Sequence, residues 1–170
     1  MNILQYLIPY RKIAIETRLK PAEVIHAFQL QVKPEPKGFV LERDYTKPYV
    51  GEVRENTFEI ARNIRYRNSF RPWITGTVEP HWQGSLLRVK MSLYPLVLVF
   101  GAVAMSMLFT FGFITIRYSH PEIPIVEYSR IAFPFVFYGI ILVAFHWEAN
   151  ISQTDLLRCL DGALVDPKQA

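Results

Sequence analysis

Cysteine is almost missing. Cys159 stands alone, which excludes an intrachain disulfide and any cysteine-based metal cluster and agrees with a reducing compartment. It sits between Arg158 and Leu160 in a stretch of helical spacing, the setting of a half-buried, unreactive thiol. Histidine is scarce and scattered: His26, His81, His120 and His146 form no His-Glu-x-x-His pair, and the eight glycines make no phosphate-cradling loop. Zinc-hydrolase and nucleotide-binding motifs are therefore absent, and neither a metal nor any other cofactor is expected. Charge is missing altogether from Met91 to Ile116, MSLYPLVLVFGAVAMSMLFTFGFITI. A helix of that length reaches roughly 39 Å, against roughly 30 Å of bilayer hydrocarbon, so this run reads as a transmembrane helix.

What charge there is lies to one side. Fifteen of the nineteen basic residues precede Met91, against nine acidic ones, while four basic and six acidic residues follow it. Arg88 and Lys90 directly precede the run, and the positive-inside rule then places residues 1–90 in the cytoplasm. A second apolar run, IAFPFVFYGIILVAFHW at 131–147, brings the chain back, with Tyr128 and Trp147 at its ends and Pro134 in its first turn. Residues 117–130 form the short extracytoplasmic loop. Residues 148–170 return to the cytoplasm as an amphipathic helix and tail, with Ser152 or Thr154 as cap, Leu156, Leu157, Leu160 and Leu164 at helical spacing and Gly162 near the end.

Within residues 1–90 the periodicity alternates. MNILQYLIPY is too short to span and has no basic n-region, so it reads as a packed or surface-lying segment, with Leu4, Leu7 and Ile8 available as a foot on the membrane. From Ile13 to Leu19 apolar residues recur every second position, as in a half-buried strand, and Pro21 opens a helix carrying Val24, Ile25, Phe28 and Val32. A Pro-rich, charged connection follows, with a short edge strand at Phe39–Leu41. Tyr49–Arg54 and Thr57–Ile64 make a hairpin, and strands over RPWITGTVEP and SLLRVKMSL complete an antiparallel sheet. The fold class is an α+β membrane protein: a cytoplasmic antiparallel sheet with one or two helices, joined to a two-helix transmembrane hairpin.

The chemistry-bearing residues concentrate in RNIRYRNSFRPWITG. Arg65, Arg67 and Arg71 interleave with Tyr66, Phe70 and Trp73, a composition suited to phosphate groups at headgroup level, with Arg65, Arg67, Arg71, Tyr66 and Trp73 as the ligand-binding set. The competing reading is a structural hairpin whose Asn68 and Ser69 bond their own backbone and whose arginines are solvated. Arg62 differs from its neighbours. It falls on the apolar face with Phe58, Ile60 and Ile64 and calls for a buried carboxylate partner. His146 and Glu148, at the edge of the second run, could relay protons or bind ions, or could be ordinary interfacial residues. Ala102, Ser106 and Thr110, at intervals of four on the first run, and Gly139 on the second have the small side chains that let membrane helices pack closely.

The stretch Tyr66-Arg67-Asn68-Ser69-Phe70-Arg71-Pro72, followed by a strand and a membrane run, resembles a group of uncharacterised small bacterial two-helix membrane proteins with a Tyr-Arg-Asn-Ser-Phe-x-Pro motif. The likeness runs from about Tyr49 to Phe100. It implies the architecture and a bacterial origin, and it carries over no catalytic residue. A multi-pass protein of the bacterial inner membrane with both termini cytoplasmic is expected. Its expected role is a non-enzymatic membrane-tethered binding or accessory module that contacts anionic lipid, a larger membrane complex or a second copy. The alternative is an enzyme or transporter subunit using His146, Glu148 or the arginine cluster. Nucleic acid is not an expected partner, because an extended basic surface and a groove-binding helix are both lacking.

Overall fold

The structure, a computed structural model, describes residues 6–34, 45–66, 68–118 and 124–165. Arg67 and the expected edge strand at Phe39–Leu41 lie outside them. The described chain is α+β: a seven-stranded mixed sheet and three helices, two of them long and apolar enough to cross a membrane.

Strand β1 (Tyr10–Thr17) leads into helix α1 (Pro21–Gln31). Pro21 takes the first helical position, and the Glu23 carboxylate reaches back to accept from the Lys20 N–H at 2.8 Å. A two-residue strand β2 (Val32–Lys33) pairs in parallel with β3 (Tyr49–Val53), and every other pairing is antiparallel. The hairpins β3–β4 (Thr57–Arg62) and β5 (Trp73–His81)–β6 (Gly84–Ser92) follow the alternation seen in the sequence. The sheet order is β2-β3-β4-β5-β6-β1-β7, open, with β2 and β7 at its edges.

One face of this sheet is the core. Ile15, Leu87, Val78, Val89, Ile74, Met91, Phe58 and Ile60 lie in register across four strands and are almost fully enclosed. The Phe58 ring lies over Gly76, where a Cβ would approach its Cζ to 2.4 Å, so only glycine leaves room for that ring. Helix α1 covers one side of this face through Val24, Ile25 and Phe28, and the Phe28 and Phe58 ring centroids are 4.5 Å apart.

The rest is covered by helix α3 (Pro124–Leu160), 37 residues long. At about 1.5 Å per residue it measures roughly 56 Å, well beyond a bilayer's hydrocarbon. Two expected boundaries disappear into it. Pro124 opens the helix, so 124–130 belong to α3 instead of a loop, and Pro134 lies in the interior. The expected cap at Ser152 or Thr154 is also inside it: Ser152 is buried, and Thr154 Oγ1 donates back to the Asn150 carbonyl at 3.0 Å. The second apolar run and the tail helix are therefore one element, because the stripe Ile141, Phe145, Glu148, Ala149, Ser152, Leu156 and Leu160 keeps helical phase throughout.

The helix ends in a Schellman turn. Asp161 adopts φ 45°, and the Gly162 N–H donates to the Leu157 carbonyl at 3.0 Å. Thr17 Oγ1 donates to the Leu160 carbonyl at 2.6 Å. Leu164, expected on the helix, instead belongs to β7 (Ala163–Val165) beside β1.

Helix α2 (Pro95–Tyr118) begins four residues later than expected, since Met91 and Ser92 still pair in β6. Pro95 cannot donate to a ladder, and the N–H groups of Val97 and Leu98 turn back to the Tyr94 carbonyl. Ala102, Ser106 and Thr110 are exposed, and Thr110 Oγ1 donates within its own helix. The less exposed face of α2 carries Val97, Gly101, Ala104, Met105, Leu108 and Gly112. A Cβ on Gly139 would meet nothing within 4 Å, so the expected small-residue seam is not where these two helices meet. Small residues recur on both faces of α2, and their spacing alone does not choose between them. An edge-on contact of Phe109 and Phe135, with centroids 5.5 Å apart, joins the two helices instead.

Candidate functional site

The strand registers align one end of the sheet: Tyr10 of β1, Ser92 of β6, Trp73 of β5 and the Arg62–Tyr49 pair of β4 and β3. From this end α2 departs, and alongside it α3 passes. The β4–β5 corner, which holds the arginine-aromatic stretch, is at the same end. Basic side chains gather here: Arg11, Lys12, Arg62, Arg65, Arg71 and Lys90. Glu52 and Glu59 share the register row of Lys12 and Lys90, so this end is basic in balance and not free of acidic groups. At the opposite end Glu16, Arg18, Arg54, Glu55, Glu79, His81 and Arg88 mix both signs, partly paired as Arg88–Glu79 and His81–Glu16, while Arg54 reaches back to Glu52.

The centre of the rim is Glu148. Its side chain is 1% exposed and accepts from Arg62 Nη1 at 2.9 Å, from the Tyr66 hydroxyl and, at 3.4 Å, from Asn68 Nδ2. Arg62 Nε also faces Asp155 at 3.3 Å. Arg62 is thus the partly buried, paired arginine that its place on an apolar strand face requires, and its partners stand two turns apart on α3. Burial alone would ease the proton off Arg62, but the hydrogen bond and charge of Glu148, with Asp155 behind, hold its pKa above the ordinary value. Tyr66 is raised by desolvation first and then by its bond to Glu148. Tyr49, buried beside the network, is raised by burial and then by the Asp155 charge.

The corner is held by its own side chains. Asn68 Oδ1 accepts from the Phe70 N–H at 2.9 Å, an Asx turn, and Arg71 Nη1 donates to the Arg62 carbonyl. Arg65 lies 5.7 Å from the Tyr45 ring centroid, and Trp73 meets Tyr94 edge-on at 5.4 Å. Of the ligand-binding set, Tyr66 and Arg71 are thus joined to the Arg62–Glu148 network, whereas Arg65 and Trp73 sit on the outer side against aromatic rings. An open cleft of about 320 Å³ borders the network, lined by Tyr66, Asn68, Ile140, Val143, Trp147 and Glu148 among others.

His146 points elsewhere. Its Nε2 is 3.2 Å from the Tyr6 carbonyl and its ring 5.5 Å from that of Tyr6, so His146 and Glu148 form no joint site. Among the described residues no group of His, Cys, Asp and Glu is arranged to hold a metal. Sequence reasoning missed Asp155, and it took Glu148 for a partner of His146. The available signal was two solitary charges, Arg62 and Glu148, each on an otherwise apolar face. It also missed Arg11, which bridges to Asn150 Oδ1 at 2.6 Å and Gln153 Oε1 at 3.2 Å. No family model, curated protein or solved structure matches this chain.

Proposed function

We propose that the protein is a non-enzymatic, membrane-tethered module of the bacterial inner membrane, with both termini in the cytoplasm. Its sheet rests rim-down on anionic headgroups, and its opposite end serves a larger membrane complex or a second copy. The observation that carries this reading is the charge balance of the sheet: at the end from which the apolar helices leave, Arg11, Lys12, Arg62, Arg65, Arg71 and Lys90 outnumber Glu52, Glu59, Glu148 and Asp155, and aromatic residues gather. Tyr10, Tyr66, Trp73, Tyr94 and Trp147 suit the headgroup level there. Each basic side chain near an anionic surface contributes about 1 kcal/mol, so three together shift occupancy roughly a hundredfold.

The headgroup contacts fall to Lys12, Arg65, Arg67 and Lys90, since Arg62 and Arg71 hold the corner together. Glu148 has its oxygens engaged and His146 faces the Tyr6 carbonyl, an arrangement that favours structural work for both over proton relay. The test is lipid retention by the full-length protein. Purified in detergent and offered equal phosphatidylglycerol and phosphatidylcholine, it retains phosphatidylglycerol preferentially in native mass spectra. The Lys12→Gln/Arg65→Gln/Lys90→Gln variant loses that preference. Equal retention of both lipids by the wild type would overturn the headgroup role.

A further inference from the structure

Just before β1, Tyr6 closes a 3-10 turn and Leu7, Ile8 and Pro9 follow in bends, and this segment lies along the apolar part of α3. Tyr138 Oη donates to the Leu7 carbonyl at 2.7 Å, and His146 Nε2 lies 3.2 Å from the Tyr6 carbonyl. The Ile8 carbonyl accepts from the Tyr10 N–H at 2.8 Å, and Pro9 has no N–H to satisfy. Three successive carbonyls are therefore capped without water. An unpaired carbonyl is costly away from water, so these caps lower the cost of placing the segment against the edge of the bilayer. The side chains beside these carbonyls point outward: Leu7 is 52% exposed and Ile8 57%. Tyr138 and His146 are eight residues apart, about 12 Å along the helix, and both precede Trp147, so the segment sits on the apolar side of that tryptophan. Two residues after it, Arg11 is tied to Asn150 and Gln153 on the polar side.

We propose that Tyr6–Pro9 is a membrane-inserted arm: Leu7 and Ile8 enter the acyl region of the bilayer, and Tyr138 and His146 hold the arm against α3 by capping its backbone. The arm anchors β1, which pairs with β6 and β7, so the sheet is fixed to the membrane at a third point besides α2 and α3. The inference rests on the reading of α3 as membrane-spanning, and the experiment separates the two.

Full-length protein carrying Cys159→Ser and a single nitroxide at Leu7→Cys, Ile8→Cys, Val143→Cys or Trp82→Cys is reconstituted into phosphatidylglycerol–phosphatidylcholine vesicles. Collision with oxygen is compared with collision with a water-soluble nickel chelate. Oxygen is expected to dominate at 7, 8 and 143, and the chelate at 82. Adding Tyr138→Phe shifts the balance at 7 toward the chelate. If the chelate dominates at 7 and 8 while oxygen dominates at 143, the arm lies outside the bilayer and the proposal is overturned with the spanning helix intact. If the chelate dominates at 143 as well, the spanning reading fails and the arm with it.

Discussion

Helices α2 and α3 are both apolar enough to cross a membrane, yet they are built for different neighbours. Over its apolar window 6% of α2 is buried, against 28% of α3. Almost all of α2 is presented outward, including Phe100, Met107, Phe111 and Phe113. On α3 the outward residues stop dominating near Trp147, and a buried stripe continues into the sheet. Mean hydropathy, 2.3 over Pro95–Ile114 and 1.5 over Ala132–Leu160, admits both as candidate spans. What separates them is the stripe, whose one charged member, Glu148, meets Arg62 on the facing strand surface. A helix apolar enough to cross a membrane that also carries an ion pair into the sheet makes the sheet an extension of itself.

The sharpest way to break the contrast is to remove the ion pair from one side. Glu148→Ala leaves Arg62 largely enclosed with only Asp155 beside it, and a loss of about 3 kcal/mol or more is expected in reversible unfolding in detergent. Arg62→Met combined with Glu148→Leu should cost less than Glu148→Ala alone, because no unpaired charge remains. If the single and double variants unfold alike, the pair does not couple helix to sheet.

Truncation distinguishes the two helices next. Leu156→Ala, in the enclosed part of α3, is expected to cost about 2–4 kcal/mol, whereas Leu98→Ala on the outward face of α2 should stay within about 0.5 kcal/mol. Equal losses would mean that α2 is as much a core element as α3. Tyr66→Phe removes one neutral donor to Glu148 and leaves Arg62 in place, for a loss of about 1 kcal/mol.

The smallest effect is on pH. The pKa values of Tyr49 and Tyr66 are raised in the folded state, so both hold their protons more tightly there than in the unfolded chain. Their contribution is complete below about pH 10, the ordinary tyrosine value, and is lost as pH rises from there through the folded pKa values. Thermal unfolding followed from pH 8 to 11 should decline above about pH 10, and Tyr49→Phe should make that decline shallower.

Much of the sheet was legible because one of its faces is buried: a period of two survives in β1, β4, β5 and β6, and the hairpin turns at Glu55-Asn56 and Trp82-Gln83 interrupt it. Strands β2 and β7 were not, since two or three residues carry no period. Arg62 betrayed its burial by standing among Phe58, Ile60 and Ile64. Its partner stayed half hidden, as Glu148 follows His146 and Trp147 and reads equally well as the edge of a span. The unity of α3 was obscured by Ser152 and Thr154, residues that signal a cap at a helix start but here lie within a helix that tertiary burial holds together. The arm at Tyr6–Pro9 could be suspected from Leu7 and Ile8. Its caps, Tyr138 and His146, are more than 130 residues away in sequence, and no local pattern links them.

The central claim is that one unbroken helix joins the apolar hairpin to the sheet, and a distance tests it directly. Nitroxides at Phe133→Cys and Arg158→Cys in a Cys159→Ser background, both on exposed positions of α3, are separated by 25 residues, about 38 Å along a continuous helix. Pulsed electron–electron resonance on the reconstituted protein should give one narrow distribution near that value. A broad distribution, or one centred well below it, would show a break near Trp147 and contradict the account.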